Sequence, residues 1–104
     1  MTMKKKSKPA RKAVRVDAEP KKDNLRRLAR AEGQVRGIAR MVDEERYCAD
    51  ILVQIRGAQN ALRAVAASLV QNHLRHCAKT AFRAGPEEQE KMVEELTALY
   101  RDGT

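Results

Sequence analysis

Two long stretches of the chain repeat their apolar residues with the period of a helix. In the first, from residue 21 to residue 46, apolar side chains recur every three or four positions, which predicts an amphipathic helix. The face opposite the apolar one carries Arg26, Arg30, Arg36 and Arg40. A row of arginines is usually a solvated helix face, but it also suits a DNA backbone, so both interpretations stay open here.

The second stretch, from about Tyr47 to Phe82, contains no proline and has an apolar stripe along its whole length. A stripe this long requires a partner helix along its full length. Gly85 and Pro86 then break the chain, because glycine suits the end of one helix and proline the first turn of the next. A short third helix follows and ends near Tyr100. We therefore predict an all-α fold with three helices in each protomer.

Length and composition narrow the class of protein. A chain of 104 residues predicts one domain, which as a monomer buries only about 60–65% of the surface that its unfolded chain exposes. With 3% aromatic residues, the chain has no stacking platform for single-stranded nucleic acid. It also has no apolar run of the roughly 18 residues that span a bilayer. We expect a cytoplasmic protein without membrane contact, whose two cysteines stay reduced.

The net charge of +8 is concentrated near the start of the sequence. Residues 1–20 contain seven basic side chains against Asp17 and Glu19, so they hold +5 of that charge. They also contain two prolines and no apolar period, which is typical of a disordered basic tail. Such a tail either keeps the protein in solution or strengthens its binding to a polyanion. We divide the chain into this tail and a helical domain over residues 21–104.

Candidate chemistry lies in three side chains of the second apolar stripe, namely Cys48, His73 and Cys77. His73 and Cys77 stand four positions apart, so on an α-helix they are neighbours on one face. Cys48 precedes Cys77 by 29 positions, which corresponds to roughly 43 Å along a continuous helix. The three side chains therefore cannot meet within one chain unless the helix breaks.

The same side chains can meet between two chains. If two copies of the second helix pack antiparallel about a two-fold axis between Leu62 and Arg63, Cys48 of one copy comes level with Cys77 of the other. Two thiolates and one imidazole form a soft three-coordinate set, which fits Cu(I). The alternative is that both cysteines are small buried apolar groups and that His73 is a core histidine. Spacing alone does not decide between the two.

Three motifs give the chain a family resemblance. They are EGQVRGI at residues 32–38, RYC at 46–48 and HLRHC at 73–77. Together with the segments around them, over residues 21–100, they resemble the CsoR/RcnR-like family of small all-helical bacterial transcriptional repressors. The resemblance implies an antiparallel four-helix-bundle dimer that assembles further as a dimer of dimers. It also implies operator DNA as the partner.

The resemblance implies a set of ligands. The copper-sensing branch of the family takes one cysteine from one subunit and a His-x3-Cys pair from the other, and Cys48, His73 and Cys77 match this pattern. Cu(I) is therefore the expected ligand.

Two further residues match positions around the copper site of that branch. Tyr47 matches a tyrosine just before the first cysteine, and Glu95 matches a glutamate of the third helix that reaches the ligand histidine. Glu94 remains the other candidate for the glutamate.

The implied function is a copper(I)-responsive repressor, not an enzyme. The copper-free form binds operator DNA, and Cu(I) binding causes derepression of copper-resistance genes. The alternative is a thiol-reactive repressor that senses persulfide or oxidant when Cys48 and Cys77 join across the interface. The expected DNA contacts are Arg26, Arg27, Arg30, Arg36, Arg40 and Arg63.

Overall fold

The computed structural model describes residues 11–102, and over these residues the fold is all-α. Its elements are α1 (Ala18–Asp43), α2 (Cys48–Asn72), a π-helical segment (His73–Ala78), α3 (Lys79–Arg83) and α4 (Pro86–Asp102). The π-helical segment joins α2 to α3 without a break, so the described residues form three helical rods. The predicted all-α class with three helices in each protomer is confirmed.

The first helix is displaced from its predicted range. α1 begins at Ala18, so residues 18–20 form its first turn and do not belong to the tail predicted over residues 1–20. Pro20 is tolerated there because the amides of a first turn have no intrahelical partner. α1 ends at Asp43 instead of residue 46, since Glu45 turns the chain with a φ of 55°. Residues 1–10 of the predicted tail lie outside the described part of the chain.

Residues 11–17, which we call the strap, have no regular structure and lie against the second rod. The Asn72 side chain donates a hydrogen bond to the carbonyl oxygen of Arg15 at 2.9 Å. The same side chain accepts one from the main-chain N–H of Asp17 at 3.4 Å. The disorder predicted for these residues is therefore replaced by contacts that a single asparagine makes on both of its amide atoms.

The core of one chain is small. Its buried apolar residues are Ala31, Ala58, Val65, Ala78 and Met92, where α1 packs on α2 and α4 folds back along α3. Large apolar side chains of the predicted stripes stay uncovered, with Leu62 exposed at 48% and Leu69 at 55%. One chain therefore leaves its apolar stripe open along much of the second rod, where the sequence requires a partner helix.

The turn between α3 and α4 is built around Gly85, as the sequence predicts. Gly85 has a φ of +125°, which side chains other than glycine's rarely allow. The Gln89 side chain donates to the carbonyl oxygen of Phe82 at 2.8 Å and so satisfies one acceptor at the end of α3. This turn carries α4, and Glu95 with it, back toward the π-helical segment. No helix within residues 11–102 combines the length and the apolar character that crossing a bilayer requires.

Candidate metal centre

His73 and Cys77 both lie in the π-helical segment. The flanking helices are regular, so the change of helix type is confined to six residues. The sequence predicts α-helical spacing for the two side chains, and the structure replaces it with the wider π turn. Both side chains still line the same two clefts, whose volumes are about 540 Å³ and 640 Å³. Such π turns are rare in proteins, and a large share of those that exist lie at functional sites.

Glu95 on α4 faces the ring of His73. The Nε2 atom of His73 is buried and lies 3.1 Å from Oε2 of Glu95. The two atoms are within hydrogen-bond distance but lack hydrogen-bond alignment, so we describe them as a close polar contact. With Nε2 turned to Glu95, Nδ1 is the ring nitrogen left for another partner. Glu94, the other candidate, is exposed on the same helix.

The strap closes one side of the site. The main-chain N–H of Val14 donates to Sγ of Cys77 at 3.5 Å. Arg11, at the start of the strap, lies 4.0 Å from Glu95, although its side chain is 90% exposed and this ion pair is correspondingly weak. Cys77 is a half-buried free thiol. The strap therefore contacts the groups around the candidate site, which the prediction of a disordered tail did not anticipate.

His76 ties the start of α1 to the π-helical segment. Its Nε2 atom lies 3.1 Å from Oδ2 of Asp17, the residue that precedes α1. The hydrogen bond from His76 is the main reason that the pKa of Asp17 lies below its ordinary value of 3.8. The sequence does not predict this contact, because Asp17 lies in the predicted tail and His76 is not one of the predicted ligands.

Cys48 and Tyr47 lie at the other end of the second rod. Cys48 is the first residue of α2 and an exposed free thiol, and Tyr47 is 74% exposed. Within residues 11–102 of one chain, no group of three or more histidine, cysteine, aspartate or glutamate side chains could hold a metal ion. One chain therefore brings together two of the three predicted ligands, His73 and Cys77, and keeps Cys48 apart from them.

The donor chemistry at this end of the rod fits a soft metal ion. Cys77 supplies a sulfur, and His73 supplies a nitrogen whose ring is already contacted from behind by a carboxylate. Sulfur and imidazole are ligands that Cu(I) prefers. The two residues leave room in their clefts for a further ligand from outside the chain.

A second functional surface is the arginine face of α1. Arg27 and Arg30 share a cleft of about 270 Å³ with Asp23 and Arg26. Further along the helix, Arg36 lies 3.5 Å from Glu32 in an exposed ion pair. All the arginines predicted to contact DNA are exposed, namely Arg26, Arg27, Arg30, Arg36, Arg40 and Arg63.

Comparison with known proteins decides the family. The sequence pattern of the family described as "Metal-sensitive transcriptional repressor" matches residues 20–102. The chain belongs to this family. Its members are transcriptional repressors, so this repressor is a regulator and not an enzyme. The family expected from the three sequence motifs is thereby confirmed.

Individual relatives of this repressor are copper sensors by name. The chain is 49% identical over 82 residues to the copper-sensing transcriptional repressor RicR of Mycobacterium tuberculosis, an alignment that covers 77% of this chain and 85% of the relative. It is 46% identical over 78 residues to the copper-sensing transcriptional repressor CsoR of Bacillus subtilis, with 75% of each chain covered.

The fold of this repressor also has a solved counterpart. The crystal structure of the copper-sensing repressor CsoR with Cu(I) from Geobacillus thermodenitrificans matches it with a TM-score of 0.74 at 37% sequence identity. The match covers 86% of this chain and 93% of the other. The likeness therefore extends over most of this chain and nearly all of the other.

Proposed function

We propose that this chain is a copper(I)-responsive transcriptional repressor. Its copper-free form binds operator DNA in the cytoplasm, and Cu(I) binding lowers that affinity and derepresses copper-resistance genes. The observation that carries the proposal is the meeting of His73, Cys77 and Glu95 at one cleft, in a chain whose relatives are named copper-sensing repressors.

The complete site takes its third ligand from a second copy of the chain. Cys48 and Cys77 are separated by roughly 43 Å of helix, so one chain cannot bring them together. The exposed apolar side chains of the second rod, such as Leu62 and Leu69, support an antiparallel dimer that covers them. In that dimer Cys48 of one subunit joins His73 and Cys77 of the other, twice by symmetry. By family resemblance, two such dimers form a homotetramer.

Three side chains of the dimer would hold the metal ion. Two thiolates and one imidazole would bind Cu(I) and so cross-link the two subunits. His73 would bind through Nδ1, because its Nε2 atom faces Glu95. Glu95 would hold the ring in that orientation and connect the site to α4. Tyr47 would lie next to the ligand Cys48, which follows it in the sequence.

The arginine face of α1 is the proposed DNA-binding surface. Within residues 11–102 the fold has no strand that could enter a groove, and α1 presents its guanidinium groups along one exposed face. Phosphate contacts by arginine should then dominate the affinity and make it strongly dependent on salt. The contacts we propose are Arg26, Arg27, Arg30, Arg36 and Arg40 on α1 and Arg63 on α2, with the basic side chains that precede α1 in the sequence as an accessory DNA-binding segment.

A second candidate function is a thiol-reactive repressor that uses the same two cysteines. Both are free thiols, so an oxidant that accepts two electrons could join Cys48 to Cys77 as a disulfide across the dimer, with release of the two thiol protons. The two functions differ in their need for His73. If the thiols are the sensor, a His73→Ala variant still leaves DNA when it is treated with persulfide or oxidant. If the imidazole is a ligand, the variant no longer leaves DNA when Cu(I) is added.

The deciding experiment measures binding of the full chain to the DNA upstream of its own gene, with and without Cu(I). We expect tight binding in the copper-free state and release when one Cu(I) is added per chain. The His73→Ala variant should bind the same DNA and stay bound in Cu(I). Tight Cu(I) binding without any change in DNA affinity would refute the proposed function.

A further inference from the structure

Asn24 is the one polar or charged residue that is buried within residues 11–102, with 7% of its surface exposed. It lies on α1 at the contact with α2. Its Nδ2 atom donates to Oγ of Ser68 on α2 at 3.0 Å, and its Oδ1 atom accepts from the Arg27 guanidinium at 3.3 Å. Because both ends of the amide are engaged, the side chain has one favoured orientation.

These two hydrogen bonds connect the arginine face to the rod that carries the candidate ligands. Ser68 lies one turn before Asn72, which holds the strap, and just before the π-helical segment with His73. Arg27 therefore depends for its position on α2 as well as on its own helix.

We propose that Asn24 and Ser68 are positioning residues that hold the Arg27 guanidinium ready for a DNA phosphate. The inference rests on the proposed function, since it concerns the DNA-binding surface of that function. An arginine held in advance loses less side-chain entropy when it binds a phosphate than a freely moving one does. The cleft that Arg27 shares with Arg26 and Arg30 provides the positive surroundings that such a phosphate requires.

A neighbouring pair on α1 provides a matched control. Arg26 donates to Asp23 at 3.2 Å, with the same spacing of three residues as Arg27 and Asn24. This pair is exposed, with 67% of the Arg26 side chain and 47% of the Asp23 side chain open to solvent. It also places a carboxylate, which repels phosphate, where the other pair has a neutral amide. Removing Asp23 therefore takes away the partner of Arg26, a partner that has no hydrogen bond to α2 among those described.

The experiment measures the affinity of the full copper-free chain for the DNA upstream of its own gene over a range of salt concentrations. We expect Asn24→Ala to weaken binding about threefold to tenfold. We expect Arg27→Ala to weaken it at least as much and to reduce the salt slope by about 1 for each copy in contact with DNA. In the Arg27→Ala background, Asn24→Ala should cause no further loss. Asp23→Ala should leave the affinity unchanged or raise it.

A second variant separates positioning from folding. Asn24→Ala leaves the Ser68 hydroxyl without its partner in the helix contact and can weaken the fold. Asn24→Leu combined with Ser68→Ala replaces the polar pair by apolar groups that still pack. We expect this double variant to keep its melting temperature within a few degrees and to lose DNA affinity as Asn24→Ala does.

Two results overturn the inference. The first is a double variant that melts normally and binds DNA like the parent chain. The second is an equal loss from Asn24→Ala with and without Arg27, because that result assigns Asn24 a general structural role. A parent chain that does not bind this DNA overturns the proposed function and the inference together, whereas either of the two results above overturns the inference alone.

Discussion

Nε2 of His73 lies 3.1 Å from Oε2 of Glu95, so α4 contacts a candidate metal ligand of the second rod. A carboxylate behind a ligand imidazole fixes the orientation of the ring and raises its basicity. The contact thus offers a direct way for a change at the metal to move α4.

Replacing this carboxylate should weaken metal binding. We expect Glu95→Ala to lower the Cu(I) affinity about 10- to 100-fold, because residues behind a ligand histidine have effects of that size. Competition with a chromophoric Cu(I) chelator measures the change. Glu94→Ala, which removes the same charge from an exposed neighbouring position, should leave the affinity unchanged. Equal losses in the two variants would contradict the role of Glu95.

Complementation tests whether the site is shared between chains. Cys48→Ala and Cys77→Ala should each abolish release from DNA by Cu(I) when the variant is the only chain present. A heterodimer of the two variants has one intact set, with Cys48 from the Cys77→Ala chain and His73 with Cys77 from the other. We therefore expect it to bind one Cu(I) per dimer. A heterodimer that binds no Cu(I) would show that the ligands are not shared in this way.

The contact of His76 with Asp17 should appear in the titration of the aspartate. In His76→Ala we expect the pKa of Asp17 to rise toward its ordinary value of 3.8, because the hydrogen bond from His76 is the largest cause of its lowering. Carboxyl NMR titration measures this rise. Arg75→Ala is the control and should raise the pKa less, since the charge of Arg75 is the smallest of the causes.

The sign of this shift fixes how Asp17 contributes to stability. Because the pKa is lowered in the folded chain, the contribution is fully present above the ordinary pKa of 3.8 and is lost as the pH falls through the lowered value. We therefore expect His76→Ala to flatten the acid limb of the stability curve below pH 3.8. An unchanged acid limb would show that the contact does not stabilise the fold.

Two glycines should respond in opposite directions to alanine. Gly37 lies inside α1, and an added Cβ would meet an arginine side-chain tip no closer than 3.9 Å. Gly37→Ala should therefore stabilise the fold by about 0.5–1 kcal/mol through helix propensity. Gly85→Ala should destabilise it by about 1–3 kcal/mol, because alanine is strained at a φ of +125°. Chemical denaturation at one fixed protein concentration measures both changes.

The spacing of apolar residues and the helix-breaking residues were sufficient to predict the helices. The apolar spacing located all three rods, and Gly85 with Pro86 marked the turn that the structure contains. Both signals are local, since they depend on residues within a few positions of one another. Two of the family motifs, EGQVRGI and HLRHC, lie inside helical segments, whereas RYC spans the turn before α2 and only its cysteine belongs to the helix.

The π-helical segment and the strap could not be predicted in the same way. Nothing in HLRHC marks a wider turn, because the residue types fit an α-helix equally well. The strap is held by Asn72 and His76, which lie more than fifty positions away in sequence. Its own composition is typical of a disordered segment, and nothing nearby in the sequence indicates these contacts. Pro20 also misplaced the start of α1. Proline is common in disordered tails and in the first turn of a helix, so its presence does not tell the two apart.

The hydrogen bond from Val14 to Cys77 has a consequence for which substitutions this chain tolerates at position 14. Its donor is a main-chain N–H, so every residue type except proline supplies it at position 14. The side chain at position 14 can therefore change without losing this contact, and the constraint acts only against proline. Val14→Pro is the substitution that removes the donor while changing no charge. Selection at position 14 therefore removes proline and leaves every other residue type free to vary.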